Sequence, residues 1–246
     1  MYKQQFQTVG LITDIHYDGS AIAMNRLYEA VTILTRGGVN ALVVMGDLVN
    51  GKSADHARRL LREVAALCEA FSGSTTYMPG NHDLDHLSKA EFYEALGRTG
   101  EKALFTLTLG DYRLISIDGN YSPDGTEYER GNFNWKEACI PSEQLRTLRM
   151  QIEEKGTPVI LFSHQRVDHT TEFSVRNAAA VREVIRETGK VKAVIQGHQH
   201  ADQLQMIEGT TYYTLSAHVD NAGPAVVEIE PQGVRLIRDF QPSLTA

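Results

Sequence analysis

Cysteine is scarce in this chain, with Cys68 and Cys139 the only two among 246 residues. Two thiols make neither a disulfide framework nor a zinc-knuckle spacing. Cys68 falls on the apolar stripe of a predicted helix and is expected in the core. No apolar run is long enough to span a bilayer, so no membrane partner is expected. The opening Met1-Tyr2-Lys3-Gln4-Gln5-Phe6-Gln7 also lacks the hydrophobic stretch of a signal peptide. With so little cysteine, these absences lead to the expectation of a cytoplasmic protein. Basic residues are outnumbered, 24 Lys and Arg against 31 Asp and Glu, for a net charge of −7. A broad nucleic-acid surface needs the opposite balance and is not expected. Internal repeats, low-complexity segments and linkers are missing too, so one domain over 1–246 is expected.

What is present is an ordinary globular composition, 42% hydrophobic, arranged in an α/β rhythm. A strand is predicted over Val9–Thr13, ending at Asp14-Ile15-His16. A helix over Ala21–Arg36 carries Leu27, Ala30, Val31 and Leu34 at helical spacing and stops at Gly37-Gly38. Ala41–Met45 is continuously apolar, as in a strand covered on both faces, and ends at Gly46-Asp47. A second helix, Ala54–Phe71, has Ser53 as N-cap. The strand Thr75–Met78 then leads into Pro79-Gly80-Asn81-His82-Asp83. A β-α-β-α-β order implies parallel strands, whose carboxyl ends are where ligand sites lie.

Beyond a short helix near Glu91–Leu96, a hairpin is predicted from Phe105–Leu109 and Arg113–Ile117 around Gly110-Asp111. Residues 118–140 show little periodicity but carry Tyr121, Tyr128, Arg130, Phe133 and Trp135. They read either as a lid-like insertion or as a flap packed on the body. A helix runs from Pro141-Ser142 to about Glu154, and the strand Val159–Phe162 ends at Ser163-His164. A helix over Asn177–Glu187 precedes the strand Ala193–Ile195, which ends at Gly197-His198-Gln199-His200. Three more strands are predicted at Tyr212–Leu215, Ala225–Ile229 and Val234–Ile237, with a turn at Pro231-Gln232-Gly233.

Each polar cluster has an ordinary reading by itself: Gly-Asp is a routine turn, and an isolated histidine is usually a satisfied core or surface residue. Asp14, His16, Asp47, Asn81, His82, His164, His198 and His200 nevertheless all follow apolar strands. Imidazole and carboxylate donors together suit manganese, iron or zinc, whereas calcium and magnesium prefer all-oxygen shells.

The order Asp14-x-His16, Gly46-Asp47, Gly80-Asn81-His82-Asp83, His164 and Gly197-His198-x-His200 resembles the calcineurin-like metallophosphoesterase superfamily. The resemblance implies an α/β fold of two mixed β-sheets packed face to face with helices outside, a four-layer α-β-β-α sandwich. It implies two metal ions, divalent or trivalent. One would be held by Asp14, His16 and His200, the other by Asn81, His164 and His198, with Asp47 bridging. A bridging hydroxide would attack a phosphate ester, and His82 would contact the phosphate or protonate the leaving oxygen. Part of the superfamily has, three residues after the bridging Asp, an acid that orients this histidine. Asn50 stands there, implying weaker support for a His82 cation. Asn50-Gly51-Lys52 also differs from the Asp-Arg-Gly of protein phosphatases.

The run Asn134-Trp135-Lys136-Glu137-Ala138-Cys139-Ile140-Pro141 is similar to bacterial small-substrate members, including relatives of manganese-dependent pyrophosphatases. A small phosphomonoester, phosphodiester or nucleotide is therefore the expected substrate. A pyrophosphatase or cyclic-nucleotide phosphodiesterase on the same metals, and a non-catalytic scaffold, are the alternatives. Arg166, for a second phosphate, and His218 and Asn221, as pocket lining, are weighed against ordinary loop positions. Pocket walls are expected from 118–140 and 167–176.

Overall fold

The computed structural model describes residues 7–230 and 233–242. The opening residues 1–6 and the turn expected at Pro231-Gln232 lie outside them.

Strands β1 (Gln7–Ile12), β2 (Ala41–Met45) and β3 (Ser74–Met78) are parallel neighbours, separated in sequence by helices α1 (Ala21–Arg36) and α2 (Ala54–Cys68). Strands β10 (Ala225–Glu230) and β11 (Gly233–Ile237) complete a five-stranded sheet in the order β11-β10-β1-β2-β3, with β10 antiparallel to β1. The second sheet holds β4 (Thr106–Leu109), β5 (Tyr112–Ile117), β6 (Val159–Ser163), β7 (Val191–Gln196), β8 (Gln203–Ile207) and β9 (Thr210–Thr214). Its order is β4-β5-β6-β7-β9-β8, with β5, β6, β7 and β9 parallel and the two edge strands antiparallel. Both sheets are mixed.

Alternation along the strands divides the core into layers, because successive side chains leave a strand on opposite faces. Val9 and Leu11 of β1 and Val43 and Met45 of β2 meet Leu114, Ile160, Phe162 and Ile195 of the second sheet. The intervening Ile12, Leu42 and Val44 pack instead against Leu27 and Leu34 of α1 and Leu60 and Val64 of α2. On the far side, Ile115, Leu161 and Val194 pack under α4 (Ser142–Glu153) and α5 (Ala178–Thr188) through Leu148, Ile152, Val181 and Ile185. The result is the face-to-face pair of sheets with helices outside.

Local signals placed most elements within a few residues. Ser20 and Ser53 cap α1 and α2, accepting from the N–H of Ala23 and His56. Helix α2 ends at Cys68, three residues before the predicted end, although Phe71 stays buried in the same cluster as Cys68. Helix α3 (Lys89–Ala95) begins with a reciprocal Ser88–Glu91 capping box. Strand β8 escaped prediction because its apolar Leu204 and Met206 face outward, 63% and 76% exposed on a sheet edge.

Candidate metal centre

The site lies where the parallel strands of both sheets end. Asp14 and His16 follow β1, Asp47 follows β2, Asn81 and His82 follow β3, His164 follows β6, and His198 and His200 follow β7. The backbone turns sharply there. Asp14, His16, Asp47, His198 and His200 all have positive φ, between 44° and 68°. Such left-handed conformations cost side-chain-bearing residues of the order of 1 kcal/mol or more and concentrate at functional sites. Gly80 allows the closest approach: a Cβ there would lie 2.1 Å from Asp47 Oδ1. The loops after β2 and β3 can touch only because that atom is missing.

The expected donors converge in two groups, Asp14 with His16 and His200, and Asp47 with His164 and His198. Within the first, His16 Nε2 lies 3.2 Å from His200 Nε2, which is 3.5 Å from Asp14 Oδ1. Between the groups, Asp47 Oδ2 is 3.3 Å from His164 Nε2 and 3.8 Å from His16 Nε2. That single oxygen therefore faces both. Asp47 Oδ1 is turned away and accepts the His82 N–H at 2.8 Å. Asp14 Oδ2 is likewise occupied by Thr13 Oγ1 and the His198 N–H, leaving Oδ1 free.

Four buried atoms here lack any hydrogen-bond partner: Asp14 Oδ1, Asn81 Oδ1, His164 Nε2 and His198 Nε2. Buried polar atoms are almost always paired, and each orphan costs roughly 1–3 kcal/mol. All four are lone-pair donors of the expected types, and they gather at one place. Tautomers sharpen the point. His164 Nδ1 can only donate to the Met45 carbonyl, 2.9 Å away, so Nε2 is the nitrogen turned towards Asp47 Oδ2. His16 and His200 meet Asn50 Oδ1 and Asp220 Oδ2 through Nδ1, each at 3.0 Å. Their Nε2 atoms are thereby turned towards one another and towards Asp14, at the place a cation would occupy. The donors fit a pair of metal ions.

The local field agrees. Burial alone would raise Asp47, but the imidazole of His164 outweighs it and holds the carboxyl well below the usual range. Burial opposes charge on His164, yet Asp47 pushes its pKa up to about 10. His198 is driven down to about 4 by burial and by His164. A pocket this electron-rich attracts positive charge, proton or metal.

Supporting residues revise one expectation. Asn50 does not orient His82; its amide oxygen holds His16, because the turn after β2 brings it beside the loop after β1. The partner of His82 is Asp85, whose carboxylate oxygen lies 2.9 Å from Nδ1 and pushes the imidazole up to about 9. A carboxylate thus supports the His82 cation after all. The spacing His82-x-x-Asp85 was visible in the sequence. Asp220, far from His200 in the chain, left no such signal. Asp83 is buried and accepts from the N–H groups of Leu48, Val49 and Gly80 at 2.8–3.1 Å, pinning together the loops after β2 and β3.

The cavity over these groups measures about 250 Å³ and is also lined by Trp135, Phe173 and Gln199. Of the aromatics in 118–140, only Trp135 reaches it. Tyr128 is buried and stacks on Phe133, and Tyr121 lies against Lys89. Arg166 is buried too, its guanidinium gripped by both oxygens of Asp168 at 2.9 and 2.6 Å, so it is neither a surface residue nor a phosphate ligand. His218 and Asn221 do not line this cavity; His218 Nδ1 instead meets the Ala222 carbonyl.

Fold and site together define a metal-dependent hydrolase with a dinuclear centre. The family model for calcineurin-like phosphoesterases matches residues 7–202, and the chain belongs to that family. It is an enzyme that hydrolyses phosphoester bonds. A dimetal phosphatase from Danio rerio shares the fold at 19% identity and a TM-score of 0.78, with 96% of this chain and 99% of that one covered. GAP50 of Plasmodium, an anchor in the inner membrane complex, aligns at 12% identity and a TM-score of 0.68, covering 97% and 85%. A purple acid phosphatase from yellow lupin gives 12% and 0.62, covering 99% of this chain and 53% of its own. No curated protein sequence matches the chain. Among the described residues, no helix is long and apolar enough to cross a membrane.

Proposed function

We propose that the protein hydrolyses small phosphate esters carrying one phosphate, with Asp14, His16 and His200 holding one cation, Asn81, His164 and His198 the other, and Asp47 bridging. The observation that carries this reading is the set of four orphaned donor atoms, on Asp14, Asn81, His164 and His198, gathered where the donor groups converge beneath the cavity. Manganese, iron or zinc fits donors of this mixture. When bound, such a pair supplies Lewis acidity and a water acidified towards neutrality. His82 borders the cavity, and the carboxylate of Asp85 on its Nδ1 raises the proton affinity of the ring. Its role is to give a proton to the leaving oxygen as the phosphorus–oxygen bond breaks. Asp85 keeps the ring oriented, and Asp83 keeps the loops bearing Asp47 and Asn81 in register.

A pyrophosphatase reading is less well supported. None of the described residues lining the cavity is Lys or Arg, and Arg166 is committed to Asp168, so a second phosphate meets no cation. A scaffold reading, of the kind the name of the Plasmodium anchor suggests for that protein, fits poorly with a full set of donors. We read 1–246 as one domain in which 118–140 acts as a wall rather than a mobile lid. The two free thiols, one of them buried, support a cytoplasmic setting. The deciding experiment is metal reconstitution followed by assays on p-nitrophenyl phosphate, its bis ester, cyclic nucleotides and ADP-ribose. Metal-dependent turnover of a monoester or diester is expected; turnover of ADP-ribose alone, or of nothing, would overturn the reading.

A further inference from the structure

Trp135 and Phe173 belong to none of the buried apolar clusters, although both rings are half-buried. They come from separate segments, a 3₁₀ turn at Trp135–Glu137 and the loop between β6 and α5, yet their centroids lie 5.8 Å apart. Each meets the ring of His198 edge-on, at 5.4 and 5.8 Å. Apart from them, the cavity is lined by site histidines, Asp47, Asn81 and Gln199. Its large apolar surface therefore lies on one side.

That side is held rigidly. Lys136 Nζ pairs with Glu172 at 2.7 Å, the Arg176 N–H donates to the Ala138 carbonyl at 2.7 Å, and Asn177 exchanges two bonds with the backbone of Ile140. Exposed aromatic surface kept in place at a polar site opposes the hydrophobic effect unless a ligand covers it.

From this we infer that Trp135 and Phe173 form a platform for a planar aromatic group joined directly to the substrate phosphate, making aryl phosphate esters the favoured class. The inference rests on the metal-centre reading above. Reach decides between aryl and nucleotide substrates. The platform abuts His198, a proposed metal ligand, so a ring joined directly to a metal-bound phosphate would reach it, whereas a nucleobase stands a whole sugar away from its 5′-phosphate. A cavity of about 250 Å³ also falls below the usual range for ligand sites.

Trp135 is the only tryptophan in the chain, so its fluorescence reports on this wall directly. The test is titration of the manganese-loaded protein with phenylphosphonate and methylphosphonate, neither of which carries an ester to cleave. Phenylphosphonate is expected to change the Trp135 emission and to bind about tenfold tighter. Phe173→Ala should remove that preference and Phe173→Leu keep part of it, read as the ratio of the two affinities within each variant. Adenosine 5′-phosphate should gain nothing over methylphosphonate. Equal affinity for the two phosphonates, a preference that survives in Phe173→Ala, or a nucleotide that outbinds phenylphosphonate would overturn the platform while leaving the metal reading intact. If neither phosphonate binds the metal-loaded protein, the metal reading falls and the platform with it.

Discussion

His82 and Asp85 form a pair across a single 3₁₀ turn, imidazole Nδ1 to carboxylate at 2.9 Å, while the His82 backbone N–H is fixed on Asp47. The carboxylate orients the ring at the rim of the cavity and raises its pKa to about 9. Asp85→Asn should bring that pKa down towards the ordinary histidine range, as read by NMR titration of the imidazole. An unchanged titration would remove Asp85 from this role.

His82→Ala should slow alkyl esters by on the order of 10²–10⁴ in kcat/KM and p-nitrophenyl esters much less. An alkoxide must be protonated as it leaves; a nitrophenolate need not be. Equal losses for the two substrate types would rule out proton donation by His82.

Asn50→Ala and Asp220→Ala should each weaken metal binding by roughly 10–100-fold, measured by competition with a chelator. Each removes the acceptor that turns a ring nitrogen towards the site without removing a ligand. Asp47→Ala should do more and lower occupancy of both positions, seen as metal content per chain. Full retention of metal in Asp47→Ala would exclude the bridging role.

Chelation should lower the melting temperature, because Asp14, Asp47 and the bare imidazole nitrogens are left crowded together without a counter-ion. Manganese returned to the chelated protein should restore it. A melting temperature indifferent to metal would argue that these donors are satisfied in some other way.

Away from the site, Glu91 caps α3 and pairs with Arg58 and Arg130 at 2.6 and 2.8 Å. The Ser88 N–H, with the two guanidiniums, lowers its pKa from 4.5 to about 2. A depressed folded pKa gives stability that is complete above the unfolded value and lost as pH falls through the folded one. Glu91→Gln should therefore melt below the parent at pH 7, with the gap closing between pH 4.5 and about 2. A gap independent of pH would assign the loss to capping geometry instead of charge.

Much of the site could be read in the chain because metal chemistry restricts residue types and a parallel sheet restricts their position. Asp14, Asp47, Asn81, His164 and His198 each follow a strand, apolar in every case but β3, and all these strands end at the same edge. The supporting residues were harder to see. Asn50 was expected beside His82 and instead holds His16, a difference set by how one turn packs beside another. Strand β8 was invisible for a related reason: its polarity is inverted, and only pairing with β9 makes it a strand.

By itself, the amino-acid sequence determined every strand but β8, the helices with their serine caps, and the kinds of donor at each strand end, since these follow from local periodicity and side-chain chemistry. Tertiary structure alone decided how the donor atoms are spaced, which acceptor turns each imidazole, and that Trp135 meets Phe173 over His198. Those are distances between residues far apart in the chain. They depend on strand order and the stacking of two sheets, which no local pattern encodes.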